Sequence, residues 1–163
     1  MERKLNDLEY LNFSLGQPYN LVVVFHTNGF ISEEELRKAL EKVQKKHPLL
    51  RVRIKDDNKG NFWFTSEGVG AIPLEVTEFE DDVKINNLFL KHLETPFDLD
   101  DKSTPLFRAT LLTSQEQSAL ILCALHTISD GISMMENISY LTALFSQHKH
   151  TGIIRTLLNT TTI

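Results

Sequence analysis

The spacing of apolar residues along this chain alternates between the period of a strand and the period of a helix, and each change of period marks an element. Asn20 to Thr27 is rich in valine and aromatic residues and lies between Pro18 and Gly29, which predicts a buried strand. The pattern assigns no element before it. After Gly29 the period changes. Ser32 stands at an N-cap position, Glu35 completes a capping box, and Ile31 and Leu36 occupy the two places of a hydrophobic staple. Leu36, Leu40 and Val43 then form one apolar stripe, and Pro48 ends the predicted helix just after His47. Leu49 to Ile54 reads as a strand with Arg51 and Arg53 on one side of the alternation. Asp56 to Gly60 reads as a turn, and Asn61 to Thr65, with Phe62, Trp63 and Phe64, as the returning strand of a hairpin.

The second half repeats the alternation. Leu74 to Phe79 predicts a strand. Asp81 or Asp82 caps a helix carrying Ile85, Leu88, Phe89 and Leu93, which stops before Pro96. Two strands follow, Leu106 to Thr113 and Ser118 to Leu125; the second is apolar at nearly every position, as expected of a strand covered on both faces. A last helix is predicted from near Gly131 to about Gln147, with Met134, Ile138, Leu141 and Phe145 on one face. The polar, threonine-rich stretch 148–163 reads as a tail or the start of a linker. The pattern as a whole predicts an α/β fold of the α+β sandwich kind, a mixed and largely antiparallel sheet covered by helices.

Composition narrows the functional classes. With 163 residues, 41% of them hydrophobic, the chain is long enough for one domain with a real core. One cysteine makes neither an internal disulfide nor a cysteine-based zinc site, so a reducing, cytoplasmic setting is expected. No apolar run approaches the roughly 20 residues of a membrane helix, and the charged N-terminus is not followed by the apolar core of a secretory signal. A net charge of −5 argues against a nucleic-acid binder, whose surface must neutralise phosphates.

One cluster carries candidate chemistry: His126-Thr127-Ile128-Ser129-Asp130-Gly131, where the most apolar strand meets the last predicted helix. A histidine at the end of a central strand is held rigidly yet emerges where a substrate can reach it, and its near-neutral pKa suits it to take a proton from an attacking hydroxyl, amine or thiol. Asp130 has the reach to accept a hydrogen bond or an ion pair within the loop, and Gly131 allows a tight entry to the helix. The plainer alternative is a boundary histidine followed by an N-cap aspartate. Cys123, inside the buried strand, reads as a small core hydrophobe, and His47 as a packing residue. Phe62, Trp63 and Phe64 are candidates for lining a pocket, with alternation sending Trp63 to the opposite face from its neighbours. His148 and His150 form too small a set for a metal site, and none is predicted.

These residues resemble the His-His-x-x-x-Asp-Gly signature of the acyltransferase superfamily that includes chloramphenicol acetyltransferase, the condensation domains of nonribosomal peptide synthetases, and polyketide-associated and alcohol acyltransferases. Two further segments are similar to the condensation branch. Lys46-His47-Pro48-Leu49-Leu50-Arg51 resembles its Arg-His-x-x-Leu-Arg element. Pro96-Phe97-Asp98-Leu99 and Pro105-Leu106-Phe107-Arg108 resemble its Pro-Phe-Asp-Leu and Pro-Leu-x-Arg elements. The resemblance implies a chloramphenicol acetyltransferase-like half domain over 1–147. It implies His126 as general base, Asp130 in a structural ion pair with Arg51, and Gly131 as the hinge of the loop. The implied reaction moves an acyl group from a coenzyme A or carrier-protein phosphopantetheine thioester to an alcohol or amine. No permanently bound cofactor follows, and a carrier protein is an implied partner. Leu125 replaces the first signature histidine, and Lys46 stands where arginine is common. The family's enzymes carry two such halves, of which this chain covers the N-terminal one. A homotrimer sharing its active site, or a non-catalytic carrier-docking module, are the alternative readings.

Overall fold

The computed structural model describes residues 1–129 and Ser139. Its order is β1 (Glu2–Lys4), α1 (Asp7–Ser14), β2 (Asn20–Asn28), α2 (Glu33–Lys46), a 3-10 turn (Pro48–Arg51), β3 (Arg53–Asp56), β4 (Phe62–Thr65), β5 (Leu74–Glu78), α3 (Asp82–Glu94), β6 (Phe107–Thr113) and β7 (Gln117–Leu125). The strands form two sheets. The smaller runs β1-β4-β3, antiparallel throughout, and the larger runs β2-β7-β6-β5, in which only the β5–β6 pair is parallel. This is the mixed, mainly antiparallel arrangement with helices that the pattern predicts.

β7 lies between β2 and β6, and every residue from Ser118 to Leu125 is buried. Continuous burial rather than alternation follows from cover on both faces. Helix α3 packs on the face that carries Asn20, Arg108, Thr110 and Cys123, through bonds made at its C-terminal end. The opposite face, with Leu21, Val23, Phe25, Phe107, Leu111, Leu120 and Leu122, is equally buried. Each of these side chains contributes roughly 1.5–3 kcal/mol by leaving water, so the sheet is the main source of stability.

Helix α2 forms where its cap and stripe place it. Ser32 Oγ accepts from the Glu35 backbone N–H at 3.2 Å, and Leu36, Leu40 and Val43 are buried. The reciprocal half of the predicted box is absent: Glu35 Oε2 instead accepts from the Ser32 hydroxyl, at 3.0 Å. The full capping box occurs on α1, which the pattern does not announce. There Asn6 Oδ1 accepts from Glu9 N–H while Glu9 Oε2 accepts from Asn6 N–H. Arg3 grips the same carboxylate with two bonds of 2.6 and 2.7 Å, and the Phe13 ring lies 4.7 Å from Phe62 of β4. The small sheet is thus the platform that fixes α1.

The predicted strand Leu49–Ile54 is corrected. Pro48 favours a tight helical start, Leu50 N–H bonds to His47 O, and Leu49 to Arg51 complete a 3-10 turn. The strand begins only at Arg53, so Arg51 and Arg53 do not share a strand face. In the hairpin, Asp57 closes the turn by accepting from the Asn61 side-chain amide and from the backbone of Lys59 and Asn61, which holds its carboxyl down at about 2. Apart from Ser139, which is helical, the predicted last helix and the stretch 148–163 lie outside the described residues.

Candidate active site

His126 follows directly on the last residue of β7. The β2–β7 register pairs Asn20 with Leu125, and the pairing continues one step further, where His126 N–H donates to Tyr19 O at 2.9 Å. Alternation continued past both strand ends puts the Tyr19 and His126 side chains on the face opposite α3. Their rings stack there, 4.8 Å between centroids and 17° between planes. On the ring edge, the Asn12 side-chain amide of α1 comes within 3.4 Å of His126 Nδ1. Backbone, ring face and ring edge are all engaged, so the half-buried imidazole is held by the segment that leads from α1 into β2.

Beyond His126 the chain turns, Ile128 N–H bonding to Leu125 O, and Thr127 and Ser129 are both buried. The Thr127 hydroxyl has no hydrogen-bond partner among the described residues. Asp130 and Gly131 lie outside the described residues. Arg51, the expected partner of Asp130, sits at the exposed end of the 3-10 turn.

A second polar cluster ties the two linker motifs together. Arg108 Nη2 donates to the carbonyls of His92, at 3.0 Å, and Thr95, at 2.6 Å; Nη1 donates to Pro96 O and Nε to His92 Nδ1. Its guanidinium also lies 4.3 Å over the Phe97 ring. The arginine of the Pro-Leu-Phe-Arg segment therefore caps α3 and clamps the Pro-Phe-Asp-Leu segment. The other nitrogen of His92 meets Thr110 Oγ1 at 2.9 Å, so this histidine is fully engaged in structure. Burial, then the charges of Arg108 and Lys91, push it down to about 4. Cys123 is buried beside it and raised to about 11 by desolvation, the behaviour of a core residue rather than of a nucleophile.

Of the aromatic run, Phe64 is fully buried in the core and Phe62 packs beneath α1, while Trp63 is bonded through Nε1 to Asp57. Among the described residues no hydrogen bond or ring stacking joins any of the three to His126. The residues so joined to it, Asn12 and Tyr19, are absent from the motifs read in the sequence. The signal that leads to them is local: Asn6 and Glu9 spell a capping box, and a capped helix before Pro18 has to pack somewhere.

The fold and the strand-end histidine define a half domain of the chloramphenicol acetyltransferase-like superfamily. The chain belongs to the condensation-domain family, whose profile matches residues 11–152. It is 33% identical over 123 residues to a linear gramicidin synthase of Brevibacillus parabrevis, covering 71% of this chain and 2% of that one. It is 28% identical over 137 residues to a plipastatin synthase of Bacillus subtilis, covering 82% of this chain and 4% of that one. In fold it is similar to the starter condensation domain of the rhizomide synthetase RzmA, with a TM-score of 0.74 at 15% identity, over 94% of this chain and 40% of that one. The chain thus spans a small part of its curated relatives and less than half of the solved condensation domain. Among the described residues no helix is long and apolar enough to cross a membrane.

Proposed function

We propose that residues 1–147 form the histidine-bearing wall of a condensation-type acyltransferase, with 148–163 leading away from it. The donor is an acyl thioester on coenzyme A or on the phosphopantetheine of a carrier protein, and the acceptor is an alcohol or amine. His126 takes the acceptor's proton as its oxygen or nitrogen bonds to the acyl carbon; the carbon–sulfur bond then breaks, and the imidazolium returns the proton to the departing thiolate. Asp130, paired with Arg51, and the Gly131 hinge hold the loop that follows His126. The observation that supports this reading is the immobilised imidazole at the end of β7, stacked on Tyr19 in a chain of the condensation-domain family. Donor and acceptor both require a second wall, contributed by another domain or another copy, to enclose them.

The test is acyl transfer by the protein and its His126→Ala variant, with acyl-coenzyme A and acyl-carrier donors. Loss of a general base lowers turnover by about 10²- to 10⁴-fold. An unchanged rate in the variant removes His126 from the chemistry.

A further inference from the structure

A histidine acts as a base only through the ring nitrogen that lacks a proton, and which nitrogen that is depends on what meets the other one. Among the described residues, the side chain at the Nδ1 edge of His126 is Asn12, at 3.4 Å. An asparagine amide presents two chemically opposite ends, which exchange places by rotation about its last bond. With Nδ2 toward the ring, the amide donates to Nδ1, the proton stays on Nε2, and His126 has no free basic nitrogen. With Oδ1 toward the ring, the amide accepts from Nδ1–H, and Nε2 presents its lone pair to the acceptor. The present geometry has Nδ2 on the ring at a long distance, the first of these two arrangements.

We infer that Asn12 is a positioning residue that selects the tautomer of His126, its amide turning Oδ1 toward Nδ1–H to make Nε2 the base. This rests on the acyltransferase reading and adds the residue that sets its base. Three features equip Asn12 for the role. It is half-buried, so its bond is partly sheltered from competing water. It rides on a helix anchored by the Asn6–Glu9 capping box, the Arg3–Glu9 pair and the Phe13–Phe62 contact, so its distance from the ring is set by structure. The stacked Tyr19 ring and the bond from His126 N–H to Tyr19 O fix the imidazole against it, leaving amide rotation as the free variable. When the imidazolium forms, Nδ1–H gains charge, and a bond from it to Oδ1 shortens and strengthens.

The experiment records the ring-nitrogen resonances of His126 by NMR at neutral pH in the wild-type protein and in Asn12→Ala and Asn12→Asp, alongside acyl-transfer kinetics. The expected result is a His126 protonated on Nδ1 in the wild type and in Asn12→Asp, whose carboxylate is acceptor only. In Asn12→Ala it shifts to the Nε2-protonated form that free imidazole side chains favour. Turnover falls by roughly 10- to 100-fold in Asn12→Ala with KM little changed, and Asn12→Asp recovers most of it. Ring resonances that are the same in all three proteins, or a wild type protonated on Nε2, overturn the inference. The two failures are distinguishable. If the acyltransferase reading is wrong, His126→Ala leaves turnover untouched while the tautomer still follows residue 12; if only this inference is wrong, His126 stays essential and the tautomer ignores residue 12.

Discussion

Replacing Arg108 with methionine keeps the aliphatic stem of the side chain but removes everything its guanidinium holds. That group donates to three carbonyls, those of His92, Thr95 and Pro96, donates to the His92 ring, and covers Phe97. A hydrogen bond from a charged donor is worth about 1.5–3 kcal/mol when its partner is buried. The Thr95 and Pro96 carbonyls stand at the exposed end of α3, where water replaces the lost donor, so they add little to that figure. The bonds to His92 and the stack on Phe97 dominate, and the sum is about 3 kcal/mol. For a domain of this size that corresponds to a drop of about 6–12 °C in Tm. Arg108→Lys keeps the charge but not the planar fork, and loses about half as much. Thermal and urea denaturation of the three proteins read the effect. A Tm for Arg108→Met within about 2 °C of wild type would refute the idea that this arginine clamps the two linker segments.

Two further expectations concern buried groups. His92 is held neutral with its pKa depressed from 6.5 to about 4, so the unfolded chain binds a proton that the folded one refuses. Stability therefore declines as pH falls from about 6.5 to about 4 and levels off below. The contribution is on the order of 2 kcal/mol after allowance for partial solvent access, read as a urea midpoint series that flattens in His92→Gln. Cys123, buried and raised to about 11, resists thiol reagents at mildly alkaline pH in the native protein and reacts only as fast as the fold opens. Rapid native-state labelling would show that the strand is not sealed.

Legibility varied with the kind of signal. Helices α2 and α3 were readable because a cap residue and a one-sided stripe coincide, and β7 because an unbroken apolar run has few other uses. Helix α1 was not, although Asn6-x-x-Glu9 spells its cap. Leu8, Leu11 and Leu15 fall at helical spacing but lie exposed, whereas the packing is done by Phe13 on another side. The strand read at Leu49–Ile54 erred because alternation over so few residues also fits a 3-10 turn, and Pro48 favours the turn.

The amino-acid sequence alone was enough to locate the strands and capped helices of the large sheet, its α+β class and the histidine at its edge, because these depend on residues close together along the chain. Pairing across long separations belongs to the tertiary structure. Asn12 and Tyr19 are far from His126 in the chain, 114 residues away in the case of Asn12, and only the β2–β7 register and the seating of α1 on the small sheet bring them to its ring. Likewise Arg108 reaches the end of α3 only because β6 lies beside β7, on whose face α3 packs. Backbone pairing and apolar packing choose such neighbours from the whole chain at once, so no local spacing encodes them.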